Sequence, residues 1–379
     1  MKTFHCESCD QVLFFENTTC VGCGATVGFA PDVLEMHAYG EGTRYRACRN
    51  YVDAQVCNWL MPVDAPGELC RSCELTAVIP DLDQPGHHEQ WFRMEAAKRR
   101  LIYTLLELEL PLVTRAQDPE GGLEFHFKSE QGLPPGEAVM TGHDNGIITV
   151  NLAEADDAER ERRRIQMHEP YRTLLGHFRH EIGHYYWDRL VLGTKWQEAF
   201  RELFGDERSD YAAALRANYE VGPRPDWQLF HVSGYASSHP WEDWAETWAQ
   251  YLHMIDIVDT ALSFGLDTAH VEIESEPFDT STLWRQDVPD AHDFLHFLNT
   301  WVQLTHMLNE MSRSMGQSDF YPFVLPRAAV AKLQLIHMVV SDAPFPGVPS
   351  DAVAQAPASP QPPTREPLPE TMAQQPQAF

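Results

Sequence analysis

At 379 residues the chain is long enough for a large core and about two or three domains, and a formal net charge of −28 makes its surface repel phosphate backbones. A 43% hydrophobic share with 11% aromatic residues excludes a disordered chain. No window approaches the roughly 20 apolar residues of a spanning helix, and the opening MKTFHCESCDQVLFF lacks a signal-peptide pattern. The expectation is therefore a cytoplasmic protein that takes neither nucleic acid nor membrane as partner.

In chain order, residues 1–75 come first, a module dense in cysteine, glycine and turn residues. All 8 cysteines fall between Cys6 and Cys73. Without signs of secretion, metal ligation accounts for them better than disulfides do. Cys6-x2-Cys9 and Cys20-x2-Cys23 are two knuckles whose thiolates can surround one tetrahedral zinc at about 2.3 Å. Cys48, Cys57, Cys70 and Cys73 make a second set with one proper knuckle, predicting a second structural zinc; free thiols at Cys48 and Cys57 are the alternative. The module carries few basic residues against twice as many acidic ones, which favours a structural or protein-docking role over DNA binding.

Residues 76–342 read as a mainly helical domain. A helix is predicted over 87–110, stopped by Pro111. Strand-like runs follow at Leu123–Phe127 and Ile147–Asn151, with Asn145-Gly146 as a turn between them, and then a solvated helix face over Glu154–Arg164. A helix starts with Pro170 in its first turn and runs to about Leu192. Helical patterning resumes over 195–219. Pro240 opens another helix that Gly265 can close, and more helices are predicted over 289–315 and 326–340. The Pro/Ala/Gln-rich stretch 343–379 is expected to be disordered. The fold class is α+β, mainly helical, with a small edge sheet.

The chemistry concentrates in His180-Glu181-Ile182-Gly183-His184. On a helix, His180 and His184 share a face and can grip one ion, while Glu181 reaches a water beside that ion and can act as general base. Leu174, Leu175, Phe178, Ile182 and Tyr186 bury the motif. Downstream, HPWEDWAETWAQYLH places Glu242 and Glu246 on one stripe among large apolar residues, a costly arrangement unless a cation is met. Glu242 can be the third ligand, and Glu246 can accept the free ring N–H of a ligating histidine. The alternative is that both carboxylates simply favour a helix N-terminus.

HExxH followed by E-x-x-A-E resembles the gluzincin metallopeptidases, and YASSHPWEDWAETW over Tyr235–Trp248 is similar to their lethal-factor-like branch. The resemblance implies a zincin-like domain in which Tyr235 stabilises the oxyanion; His231 and Tyr219 are the competing donors. Together with the Cys-rich start, TGHDNGIITVNLAEADD and EPYRTLLGHFRHEIGHYYWD, these stretches resemble a bacterial family of zinc-ribbon-containing, zinc-binding metallopeptidases. The span between His184 and Glu242 is longer than in thermolysin-like gluzincins, so an inserted helical pair is expected there.

The leading function is zinc-dependent hydrolysis of peptide bonds, with one catalytic and one or two structural Zn2+ ions. Peptide or protein is the substrate, and the cysteine module is a candidate docking site for a protein partner. The strand Ile147–Asn151 is a candidate open edge for an extended peptide. A catalytically silent zinc-stabilised interaction protein and a small-molecule amidase are the alternatives.

Overall fold

A computed structural model of the chain describes residues 2–134, 137–166, 172–266 and 278–343. Pro170 and nearly all of the expected tail lie outside the described residues.

The cysteine module is built from hairpins too short to stand alone. Strand β1 (Phe4–His5) pairs antiparallel with β2 (Val12–Leu13), β3 (Val27–Ala30) with β4 (Glu35–Ala38), and β5 (Tyr45–Ala47) with β6 (Leu60–Pro62). A single helical turn, α1 (Arg49–Val52), follows β5. Each knuckle of the first set turns back on itself. Asp10 N–H donates to the Cys6 carbonyl at 2.8 Å and Gly24 N–H to that of Cys20 at 2.9 Å. Both residues take left-handed backbone (φ 61° and 76°), which Asp tolerates and Gly adopts freely.

Helix α2 (His87–Glu107) joins this module to the rest. It ends a few residues before the predicted limit because Glu109 turns left-handed (φ 54°) ahead of Pro111. Tyr103 of α2 meets Phe15 at 5.3 Å and Phe29 at 5.6 Å between ring centroids, and Trp59 packs on Phe29 at 5.0 Å. One continuous buried core thus runs from Phe4 to Val340. Such aromatic contacts bury large areas at specific geometry.

A four-stranded sheet follows, from β7 (Thr76–Val78), β8 (Glu124–Lys128), β9 (Gly142–Asp144) and β10 (Ile147–Asn151), in the order β7-β8-β10-β9. The first three are parallel neighbours and β9 is antiparallel to β10. The expectation that Ile147–Asn151 forms an open edge is therefore wrong. That strand is internal, with Ile148 and Val150 buried in the core, and β9 is the outer strand beside it. The Asn145-Gly146 turn joins β9 to β10 as a tight hairpin, both residues at positive φ.

The remaining helices are α3 (Asp157–Gln166), α4 (Leu174–Leu190), α5 (Gln197–Phe204), α6 (Tyr211–Val221), α7 (Pro240–Ser263), α8 (Ala291–Ser314) and α9 (Arg327–Ser341). The chain is α+β and mainly helical. Helix α4 starts at Leu174, with the Thr173 hydroxyl accepting from Gly176 N–H. The helical stretch expected over 195–219 divides into α5 and α6, the second started afresh by the Asp210 carboxylate, which accepts from Ala213 N–H. Phe178 of α4 rests on Phe125 and Phe127 of the sheet at 5.7 Å and 6.0 Å, so α4 is held between the sheet and α7.

Candidate metal centre

Helices α4 and α7 cross at Gly183. A Cβ there would stand 3.1 Å from the Ala245 Cα, and the Trp244 indole donates to the Gly183 carbonyl at 2.9 Å. The close crossing presents the His180 and His184 side of α4 to the first turns of α7, where Pro240 fits an N-terminal position and the His239 ring caps the Trp241 N–H.

His180, Glu181, His184, Glu242 and Glu246 are all buried. The Nε2 atoms of His180 and His184 face each other at 3.2 Å, and Glu242 Oε2 lies 3.0 Å from the first and 3.5 Å from the second. Tetrahedral ligands at about 2.0–2.1 Å from zinc are separated by roughly 3.3 Å, so these three atoms have the spacing of ligands round one ion. Glu242 Oε2 is buried and has no hydrogen-bond partner among the described residues. An orphaned carboxylate oxygen beside two inward-facing imidazole nitrogens fits a divalent cation.

The electrostatics agree. Burial opposes a charge on His180, yet Glu242 and Glu246 together push it up to about 10. Burial likewise works to raise Glu242, but the His184 and His180 imidazoles hold it well below the usual carboxylate range. The cluster favours positive charge, as a divalent cation would supply.

Around this triad, Glu246 Oε1 is 2.8 Å from His180 Nδ1, and its Oε2 accepts from the Ser233 hydroxyl at 2.5 Å. A carboxylate in that position fixes the imidazole tautomer that leaves Nε2 free to ligate. Tyr235 stands with its ring 6.1 Å from that of His180, and its hydroxyl is buried with no partner among the described residues. Burial, reinforced by the charge of Glu242, pushes its phenol well up, so it remains an O–H donor.

The competing donors are placed otherwise. His231 Nδ1 is 3.0 Å from Asp243 Oδ2, which also accepts from the buried Lys332 ammonium at 2.6 Å. Tyr219 lies on α6, near enough to act on the Tyr235 phenol electrostatically. Three neighbours escaped the sequence reading: Tyr211, whose hydroxyl donates to Glu242 Oε1; Trp241, whose ring covers His184 at 3.9 Å; and His143 of β9, 6.3 Å from the His184 ring. Trp241 lies in the first turn of α7 and Tyr211 opens α6, and the only signal for either was closeness to a helix start.

In the cysteine module two tetrads assemble, Cys6/Cys9/Cys20/Cys23 and Cys48/Cys57/Cys70/Cys73. Sulfur pairs stand 3.7 Å apart for Cys6 and Cys23, 3.6 Å for Cys9 and Cys20, and 3.7 Å for Cys57 and Cys70. Those are close to the edges of a tetrahedron of thiolates at about 2.3 Å from zinc. Cys48 and Cys57 belong to the second tetrad rather than standing as isolated thiols. No described helix is long and apolar enough to cross a membrane.

Residues 87–339 match the family described as "Putative zinc-binding metallo-peptidase", and residues 3–84 match a zinc-ribbon domain. Uncharacterized proteins of Mycobacterium tuberculosis and Mycobacterium bovis are 46% identical over 343 residues, which covers 90% of this chain and 96% of theirs. No solved structure matches the chain. The two sulfur tetrads lie in the part matching the ribbon and the histidine–glutamate cluster in the part matching the peptidase, and the chain belongs to this family of zinc-binding metallopeptidases with an N-terminal zinc ribbon.

Proposed function

We propose that the protein is a zinc-dependent peptidase of the HExxH gluzincin type, hydrolysing a peptide bond of a peptide or protein substrate. The observation that carries this reading is the convergence of His180 Nε2, His184 Nε2 and Glu242 Oε2 within 3.0–3.5 Å of one another, with Glu181 one residue from His180 on the same buried helix.

His180, His184 and Glu242 would hold the catalytic ion, and the two cysteine tetrads the structural ones. Zinc, when bound, supplies a Lewis acid that lowers the pKa of water towards ~7. Glu181 takes the proton of the attacking water and passes it to the leaving amine. Tyr235 directs its O–H at the charge that develops on the carbonyl oxygen; its burial without an acceptor among the described residues supports that role. Glu246 keeps His180 in the tautomer that ligates. The outer strand β9, whose His143 stands beside His184, takes the place of Ile147–Asn151 as the edge on which an extended peptide pairs. Eight unpaired cysteines gathered in tetrads favour a reducing, cytoplasmic setting, and the ribbon's exposed face is a candidate docking site for a protein partner.

Glu181→Gln tests the assignment. Zinc content should be unchanged while cleavage of a peptide library falls about 10²–10⁴-fold, and a chelator should abolish wild-type cleavage. Equal cleavage by the two proteins would refute the base. Cleavage by neither, with three zinc sites filled, would favour the silent scaffold.

A further inference from the structure

The two oxygens of Glu242 have different surroundings. Oε2 faces the imidazoles, and Oε1 accepts the hydroxyl of Tyr211. A terminal carboxylate torsion is broad and roughly two-fold, so nothing in the glutamate itself decides whether one oxygen or both turn to an ion. The donor on Oε1 decides it.

Tyr211 is itself held. Asp210 caps α6, and the Ser209 carbonyl stands 3.2 Å from Nε2 of His239, whose Nδ1 caps α7 at the Trp241 N–H. With Nδ1 accepting, Nε2 carries the proton and donates to Ser209. The Tyr211 ring packs edge-on against His239 at 5.2 Å and Trp241 at 5.8 Å. The start of α6 is therefore tied to the first turn of α7, immediately before the ligand.

We propose that Tyr211 is a positioning residue of the metal centre, its hydroxyl restricting Glu242 to ligation through a single oxygen. This rests on the peptidase reading of the site and extends it. The segment between the HExxH helix and the ligand helix, α5 and α6, becomes part of the centre rather than an appendage. The hydroxyl also holds the carboxylate in position ahead of any ion, and a Glu242 that ligates through one oxygen would leave room at the ion for water and substrate.

The test is Tyr211→Phe in the full chain, which keeps the ring and its packing on His239 and Trp241 and removes only the O–H. With zinc left in the cysteine tetrads, the third site is emptied and refilled, and its zinc affinity is measured by competition with a chromophoric chelator. The expected result is a 10–100-fold weaker site. When cobalt is placed there, its visible absorption should change in band position and intensity as Glu242 becomes bidentate. Melting of the protein with the third site empty should fall modestly, by the one hydrogen bond lost to a buried carboxylate. Unchanged affinity and unchanged cobalt bands would overturn the proposal. If wild-type protein binds no third zinc, the peptidase reading itself fails and this inference falls with it.

Discussion

Gly183 lies against Ala245 and Trp248 so closely that an added Cβ would be 3.1 Å from the Ala245 Cα and 3.1 Å from the Trp248 Cβ. The variable positions of His-Glu-Ile-Gly-His thus have structural duties: Ile182 enters the core and Gly183 sets the helix separation. Alanine would raise helix propensity by about 1 kcal/mol, but backbone and Cβ atoms on both sides of the contact have no flexible end to give way. Gly183→Ala should therefore push α7 outward by a few tenths of an ångström and weaken zinc at His180, His184 and Glu242, measured by chelator competition. Gly183→Leu should prevent the crossing and leave the protein insoluble or unfolded. Wild-type zinc affinity in Gly183→Ala would show that the spacing is not critical.

Tyr235 brings a neutral, buried phenol to the edge of the cluster, and it neither ligates the triad nor fills a hydrogen bond among the described residues. Tyr235→Phe should therefore retain zinc and fold while kcat falls about 10²–10³-fold, with KM nearly unchanged. His231→Ala is the contrast. His231 is engaged by Asp243 and Lys332, so its loss should lower melting temperature more than it lowers kcat. The reverse pattern would exchange the two assignments.

What could be read in the sequence was whatever repeats at short range. Each Cys-x-x-Cys pair, the i, i+4 histidines and the Glu242–Glu246 pair are fixed by local geometry, and the structure brings each set together. Features made by long-range packing left no such trace. Strand β9 is three residues, Gly-His-Asp, with no alternation to reveal it, and its absence made Ile147–Asn151 look like an edge. Tyr211 is one aromatic residue at the start of an ordinary amphipathic helix, and its bond to Glu242 exists only because the start of α6 meets the first turn of α7. The helical pair expected between His184 and Glu242 is present as α5 and α6, but the place of its break is set by six residues whose polarity resembles that of the exposed helix faces around them.

Acid sensitivity should come from buried neutral histidines. His253 of α7 is enclosed by Trp301 at 5.7 Å, Tyr321 at 5.7 Å and Phe320 at 6.1 Å between ring centroids. Burial, with the charge of Arg179 added, holds it well below 6.5. His239 and His337 are lowered by burial too. For a base depressed in the folded state, the unfolded chain binds the extra proton once pH drops below its own value of about 6.5. The stabilisation is complete above that pH and is lost on acidification, at a slope of up to ~1.4 kcal/mol per pH unit for each histidine. His180 is raised in the metal-free centre and would pull the other way, so zinc-loaded protein is the proper sample. His253→Phe should flatten the fall in melting temperature between about pH 6.5 and 5. A variant with the wild-type slope would place the acid sensitivity in other groups.

Metal removal should proceed in a fixed order, because the two sulfur tetrads differ in burial. Cys9 and Cys23 are exposed, whereas Cys48, Cys57, Cys70 and Cys73 are all buried. The inner tetrad is also stitched to its backbone, with Trp59 N–H donating to Cys57 Sγ at 3.3 Å and Cys70 N–H to Cys48 Sγ at 3.3 Å. Trp59 continues into the Phe29 and Phe15 cluster that seats the ribbon on Tyr103 of α2. A chelator with thiol reagent should therefore release zinc from the outer tetrad first, with labelling at Cys9 and Cys23 and little change in melting. Release from the inner tetrad should coincide with loss of the aromatic junction and with protease sensitivity near α2. On the same reasoning Cys57→Ser should lower the melting temperature far more than Cys9→Ser, since it empties a buried site bonded into the core. Simultaneous labelling of all eight thiols, or equal melting of the two variants, would contradict the division into an outer labile site and an inner structural one.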